Sequence, residues 1–328
     1  MELKRIEHRQ LVQIMAIFAI VQFGGLFLAI SAYSGVTYSE ITQAQAVSTG
    51  SSAALLIIYI VAFSAMFVII SRIYKGNKLF LFLEAYIIFI ASLYLFGMIF
   101  SIPSGNVMQF LYGNGSVWAY AAAAALGVLL VFAKNRIPRL RNTTAMIASI
   151  GVGTILGITF SFTAALIFMF ILAAYDFIAV FITKHMITIA NAAIKMNLSF
   201  MVSASDIEAV PIGMLSKDER AAYLKAAKGD REWGRLARRF NISKYAPVSA
   251  SVGLGTGDLA MPLMLAVSAY KVYLSFTFSI SIILGAVLGL FITMMILRNY
   301  RRALPAIPPL LLGILISIGA YMLLMPAF

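Results

Sequence analysis

Two aspartates dominate the chemistry open to this chain. Asp176 stands in Tyr175-Asp176-Phe177-Ile178-Ala179-Val180, and Asp258 closes Gly253-Leu254-Gly255-Thr256-Gly257-Asp258. Both lie in long apolar runs, and of the 12 acidic residues only these two and Glu84 do so. A carboxylate at the centre of a bilayer costs about 2.5–3.5 kcal/mol on insertion scales, so its presence asks for a reason. Two carboxyls that meet in a low-dielectric site do not ionise together easily and share one proton. The ionised member can then take a proton from a water that attacks a peptide carbonyl. The protonated member donates to the developing oxyanion and later to the leaving amine. A hydrogen-bonded pair that ties two helices together would use the same residues. So would an ion-coupled secondary transporter. Residue type and burial alone leave these three readings open.

Other chemistries lack the residues they need. The two histidines, His8 and His185, lie at or beyond the ends of apolar runs. There is no His-Glu-x-x-His zinc motif and no buried histidine for a serine nucleophile. Cysteine is absent, which removes disulfides, thiolate nucleophiles and Cys-based metal sites, so neither a metal nor a cofactor is expected. No Gly-x-x-x-x-Gly-Lys-Ser/Thr loop is present for a nucleotide. Gly253 to Gly257 lacks the strand-turn-helix setting of a dinucleotide fingerprint.

The elements that must position the aspartates read as membrane helices. Of 328 residues, 62% are apolar and 11% charged, whereas a soluble domain carries roughly a quarter charged. Nine apolar runs are long enough to span a bilayer. They cover about 11–33, 51–71, 79–102, 116–133, 144–161, 163–183, 247–268, 272–297 and 304–325. Strand-like alternation is not evident, which disfavours a β-barrel. The expected fold is an all-α membrane protein, a nine-transmembrane-helix bundle. It forms one membrane domain in three parts: helices 1–6 in 1–183, an amphipathic and charged cytoplasmic loop in 184–246, and helices 7–9 in 247–328. The first run exceeds the 7–15 residues of a signal-peptide core and reads as a signal anchor.

The net charge of +13 does not point to nucleic acid, because the basic residues sit in the short connections between runs. Every Lys and Arg except Lys271 falls on alternate connections, all on one side of the membrane. That bias places the N-terminus in the cytoplasm and the C-terminus outside, with the cell membrane as the expected location. The stretch 186–203, with Lys195 and two asparagines, reads as an interfacial amphipathic helix. Ser216-Lys217-Asp218-Glu219 reads as a capping box opening a charged, solvated helix that contains Trp233.

On this plan the aspartates come to similar depths. Asp176, eight residues before Lys184, lies roughly 12 Å in, and Asp258, eleven after Pro247, roughly 16 Å in if both segments are helical. Spans six and seven run in opposite directions, so the carboxyls can face each other. Glu84 is expected to pair with Lys78 or reach the interface. Gly253, Gly255 and Gly257 are expected to let span seven approach span six or loosen locally. Pro262 leaves the Asp258 carbonyl without its helical partner, and Pro305, Pro308 and Pro309 free carbonyls at the mouth of span nine. Such groups suit an unwound, strand-like substrate. Tyr175 is read as either bonding near the pair or packing on span seven.

Together, Tyr175-Asp176, Gly255-Thr256-Gly257-Asp258 and Leu304-Pro305-Ala306-Ile307 resemble the presenilin and signal-peptide-peptidase family of intramembrane aspartyl proteases. That family carries Tyr-Asp in span six, Gly-x-Gly-Asp in span seven and Pro-Ala-Leu before span nine. Here the last motif reads Pro-Ala-Ile, which keeps the volume and adds a β-branch. Nine spans with the N-terminus inside is the presenilin orientation, and Tyr-Asp-x-x-Ala-Val is similarly presenilin-like. The compact length resembles a microbial, archaeal homologue. The resemblance implies a GxGD-type aspartic endopeptidase with Asp176 and Asp258 as catalytic pair. Tyr175, Gly255, Gly257, Leu304, Pro305, Ala306 and Ile307 would then support the site or bind substrate. The implied partners are a transmembrane peptide or membrane-protein substrate and the lipid bilayer, with no accessory subunit evident in the sequence.

Overall fold

The computed structural model describes residues 8–33, 77–105, 107–111, 113, 115–137, 140–182, 201–211, 245–300 and 305–325. Its helices are α1 (His8–Tyr33), α2 (Asn77–Ser101), the short α3 (Val107–Leu111), α4 (Val117–Arg136), α5 (Leu140–Thr159) and α6 (Phe162–Phe177). After a π-helical turn, Ile178–Ile182, come strands β1 (Met201–Pro211) and β2 (Tyr245–Gly255). The chain then forms α7 (Thr256–Tyr273), α8 (Phe276–Tyr300) and α9 (Ile307–Leu324). Among the described residues, six helices are long and apolar enough to cross a membrane: α1, α2, α4, α5, α8 and α9. The expected span at 51–71 lies outside the described residues. So do Lys184, His185, residues 186–200 of the expected interfacial helix, Ser216–Glu219 and Trp233.

Helix α6 has 16 residues, and the π turn adds 5 more before the described segment ends. Its start is set by Ser161, whose side chain accepts the Ala164 N–H and satisfies one of the free donors of the first turn. Helix α7 is not among the six, and its position explains why it need not be. It packs against α5, α1, α8 and α6. Leu259, Ala260 and the run Leu263–Ala269 are all buried, so this helix is covered by protein on every side.

Close approach to α7 comes from small residues on α5. A Cβ at Gly153 would meet the Ala260 carbonyl at 2.8 Å, and one at Gly157 would meet the Met264 carbonyl at 2.8 Å. Without a hydrophobic drive between helices in lipid, such backbone-to-backbone packing is what holds them together. At the far end of α7, Lys271 donates to the Ile158 carbonyl at 2.6 Å, which ties down the last turn of α5. Helices α8 and α9 form a second tight pair, in which Gly289 and Gly313 leave no room for side chains. Tyr321 of α9 adds hydrogen bonds with Thr277 and Ser275.

Two expectations need correction here. The chain is not all helical, because β1 and β2 pair antiparallel from Met201↔Gly255 to Pro211↔Tyr245. The helix expected from 247 begins instead at Thr256, and the 246/247 boundary falls inside β2. The reason is legible in hindsight: Val248, Ala250, Val252 and Leu254 alternate with small or polar residues. That is the period of a strand and not of a helix. The sheet is anchored at its inner end, where paired Val202 and Leu254 are buried in the main core. Glu84 forms a buried ion pair with Lys134 of α4, a partner that the sequence reading did not name.

Candidate active site

Asp176 occupies the last turn of α6, one residue before its end, and is only 5% exposed. Its Oδ2 accepts the backbone N–H of Ile307 at 3.3 Å. Ile307 is the first residue of α9, where the amide has no partner within its own helix. A free N–H at the positive end of a helix is a natural partner for a carboxylate. The α8–α9 packing therefore matters to the site, since it fixes where that amide points. Pro308 and Pro309 follow in the first turn, where a missing N–H costs the helix nothing.

Asp258 occupies the third position of α7 and is partly buried. Its Oδ2 accepts the N–H of Gly255, the residue that precedes the helix, at 3.3 Å. This is the reach-back half of a capping box, with the carboxylate satisfying a backbone donor at the helix start. Helix α6 packs against both α7 and α9, which brings the helix that carries Asp176 against the helix that carries Asp258. Three segments far apart in sequence thus meet: the end of α6, the β2–α7 junction and the start of α9.

The helical depth count for Asp258 does not hold, because the residues from Pro247 to Gly255 are extended. Asp258 stands instead in the first turn of a helix that starts late. Of the two roles expected for the glycines, close approach of α7 to α6 or local loosening, the first has no contact behind it: among the described residues, no α6 atom is among the nearest neighbours of a Cβ at any of the three. Gly253 lies in β2, where a Cβ would run into Met201 of β1. Gly255 keeps clear the space beside Asp258, since a Cβ there would sit 3.2 Å from its Oδ2. Gly257 is exposed, with open space where a side chain would be.

Tyr175, next to Asp176 in the last turn of α6, is 58% exposed. Pro305 and Ala306 are buried beside Ile307, whereas Leu304 lies outside the described residues. Pro262 is buried within α7, and its missing N–H leaves the Asp258 carbonyl without a helical donor.

Sequence reasoning missed two contributors. The Ile307 amide, in a segment expected to offer backbone hydrogen bonds to a substrate, donates to Asp176. Gln22, in the middle of α1, donates from Nε2 to the Leu259 carbonyl at 2.8 Å, one residue past Asp258. A lone amide in Ile20-Val21-Gln22-Phe23 was the available signal.

Residues 15–324 match the profile of a family described as signal-peptide peptidase, presenilin aspartyl protease. No curated protein matches the chain. Among solved structures, the chain is similar to a presenilin family intramembrane aspartate protease in two crystal forms. One, in space group P2, has a TM-score of 0.57 and 19% identity over 96% of this chain and 98% of that one. The other, in C222, has a TM-score of 0.56 and 18% identity over 94% and 96%. At such identity the likeness speaks for the fold.

Proposed function

Since this chain belongs to the signal-peptide peptidase and presenilin family of aspartyl proteases, we propose that Asp176 and Asp258 are its catalytic pair. The substrate is a peptide bond in a transmembrane segment, and the enzyme is an aspartic endopeptidase of the GxGD type. One observation carries the reading. The helices that carry the Tyr-Asp, Gly-x-Gly-Asp and Pro-Ala-Ile segments pack together, with Asp176 bonded to the Ile307 amide.

In the reaction, the ionised carboxyl takes a proton from water as its oxygen attacks the scissile carbonyl. The protonated carboxyl donates to the oxyanion, and the proton then passes to the leaving amine as the C–N bond breaks. The Ile307 and Gly255 amides each hold Oδ2 of one carboxylate and so fix the orientation of the pair toward water and substrate. A helix shields its own carbonyls, so the substrate enters unwound. Strand β2 runs directly into the Asp258 turn, and a strand edge offers an extended segment backbone hydrogen bonds. Leu304, Pro305, Ala306 and Ile307, with Tyr175, Gly255 and Gly257, support the pair or bind substrate, and Gly257 leaves room for a side chain. The protein works in the cell membrane as a nine-span bundle, N-terminus cytoplasmic and C-terminus extracellular. Neither the family nor the fold favours the ion-coupled carrier.

The test is incubation of the purified protein with a single-span peptide, with the products read by mass spectrometry. Cleavage is expected from the wild type and from neither Asp176→Ala nor Asp258→Ala. Cleavage by either variant would remove the pair assignment, and ion flux without cleavage would restore the carrier.

A further inference from the structure

Gln22 is fully buried at mid-length in an otherwise apolar stretch of α1. Burying an amide costs about 1–3 kcal/mol on protein scales unless its hydrogen bonds are made. Here only half of them are. Nε2 donates to the Leu259 carbonyl at 2.8 Å, across 237 residues of sequence. Oε1 is buried with no hydrogen-bond partner among the described residues. An amide that served stability alone would have both ends bonded, and a leucine would cross the membrane more easily.

What the amide does hold is the turn that carries Asp258. That turn is short of backbone bonds, because Pro262 cannot donate to the Asp258 carbonyl. Gln22 adds a tertiary bond to the next carbonyl along. One turn further on α1, Gly25 lets the helix lie directly on Leu263, where a side chain would collide. From the other flank, the Ser149 hydroxyl of α5 reaches the Thr256 carbonyl at 3.2 Å. Its single proton also serves the Ala145 carbonyl at 2.8 Å, so this is the weaker tether. The Asp258 turn is therefore bracketed at Thr256 and Leu259, and the bond from Gln22 is the firmer of the two.

We infer that Gln22 is a positioning residue, which fixes the rotation of the first turn of α7 so that Asp258 faces Asp176. This rests on the catalytic reading of the pair and goes beyond it, since no motif of the family resemblance includes α1.

Gln22→Met tests it, because methionine matches the length and shape and removes both polar ends. The expected result is a fall in kcat of about tenfold or more, with KM within about twofold, since displacing a reacting group by 1 Å can cost a hundredfold. Thermal unfolding in detergent is expected to stay level or rise, as the unpaired oxygen disappears with the donor and Leu259 keeps its helical bond. An unchanged kcat, or kcat and stability falling together, would overturn the inference.

A second arm needs no proteolysis. The chain has no cysteine, so Asp176→Cys with Asp258→Cys gives a pair whose cross-linking rate reads their facing geometry. Gln22→Met is expected to slow that rate several-fold. A control pair, Ser281→Cys with Ser317→Cys across α8 and α9, should keep its rate. Equal rates at 176–258 with and without Gln22 would overturn the inference even if the wild type cleaved nothing. A wild type that cleaves nothing would count against the protease reading alone.

Discussion

Replacing Gly255 by alanine separates the placement of Asp258 from the stability of the fold. The backbone at Gly255 has φ −65° and ψ 145°, a region open to every L-residue, so the substitution strains no dihedral angle. The added Cβ would stand 3.2 Å from Asp258 Oδ2 and 3.7 Å from its Cγ. The first contact is tight, and the carboxylate must give way by a few tenths of an ångström. It moves away from the amide it is bonded to, at a distance already 3.3 Å, so that bond weakens. Losing most of a hydrogen bond of this kind costs about 1 kcal/mol. The Gly→Ala change returns roughly 0.4–1 kcal/mol by narrowing the unfolded ensemble. Net stability should therefore change by less than about 1 kcal/mol, within the usual range of near-neutral substitutions. Activity should change more. If a 1 Å displacement costs about a hundredfold, a few tenths cost about three- to tenfold in kcat. The assay is steady-state cleavage of a quenched single-span peptide, run beside thermal unfolding of the same preparations. Activity within about twofold of wild type would refute the reasoning, given the size of effect that misplacement carries. So would a large loss of stability. Gly257→Ala is the internal control: its side chain enters open space, so any activity lost there reports on substrate and not on the Asp258 cap.

The remaining expectations concern residues further from the pair. Glu84→Ala leaves Lys134 buried and uncompensated between α2 and α4, and the loss should be about 3–5 kcal/mol in detergent unfolding. Glu84→Leu with Lys134→Met should recover most of it, and failure to recover would mean the pair supplies more than mutual neutralisation. Tyr175→Phe should leave peptide cleavage within about twofold of wild type, because its ring lies on the exposed face of α6 and surface changes are usually small. A larger loss would require its hydroxyl to meet the substrate.

The sequence exposed the site more readily than the path of the chain into it. Asp176 and Asp258 stood out because charge in an apolar run is costly, and that cost does not depend on the local fold. Spans six and nine were bounded within a few residues by Ser161, where capping starts α6, and by the prolines that open α9. The β2–α7 junction was misread for a physical reason. Val248, Ala250, Val252 and Leu254 are apolar enough to extend a hydropathy run, and a run sums hydrophobicity without weighing its period. The strand was visible only in the alternation. The pairing of Glu84 with Lys134 joins two helices, α2 and α4, which no local rule supplies. Gln22 and the Ile307 amide were beyond local reading for the same reason. Each acts on a residue more than a hundred positions away, and a backbone amide carries no signature in the sequence at all.

Asp258 poses the sharpest question in the site, because its position has a complete structural explanation without catalysis. A carboxylate three residues into a helix, bonded to the N–H at the helix start, is a common cap and is favoured by the helix dipole. Asp176 is explained less fully: it accepts the Ile307 N–H at the start of α9, but it is buried at the end of its own helix, where positive charge is preferred. The cap and the catalytic role make different demands on the side chain. A cap needs only an oxygen that accepts from Gly255, which asparagine also provides. Proton transfer needs a carboxyl. Asp258→Asn should therefore keep the fold, with stability changed by less than about 1 kcal/mol, the usual worth of a cap lost altogether. Cleavage should disappear. The measurement is product formation over long incubation beside thermal unfolding, with Asp258→Ala as the variant that loses both functions. If Asp258→Asn cleaves the peptide at a rate comparable to wild type, Asp258 is a cap and nothing more. Asp176 would then need another partner.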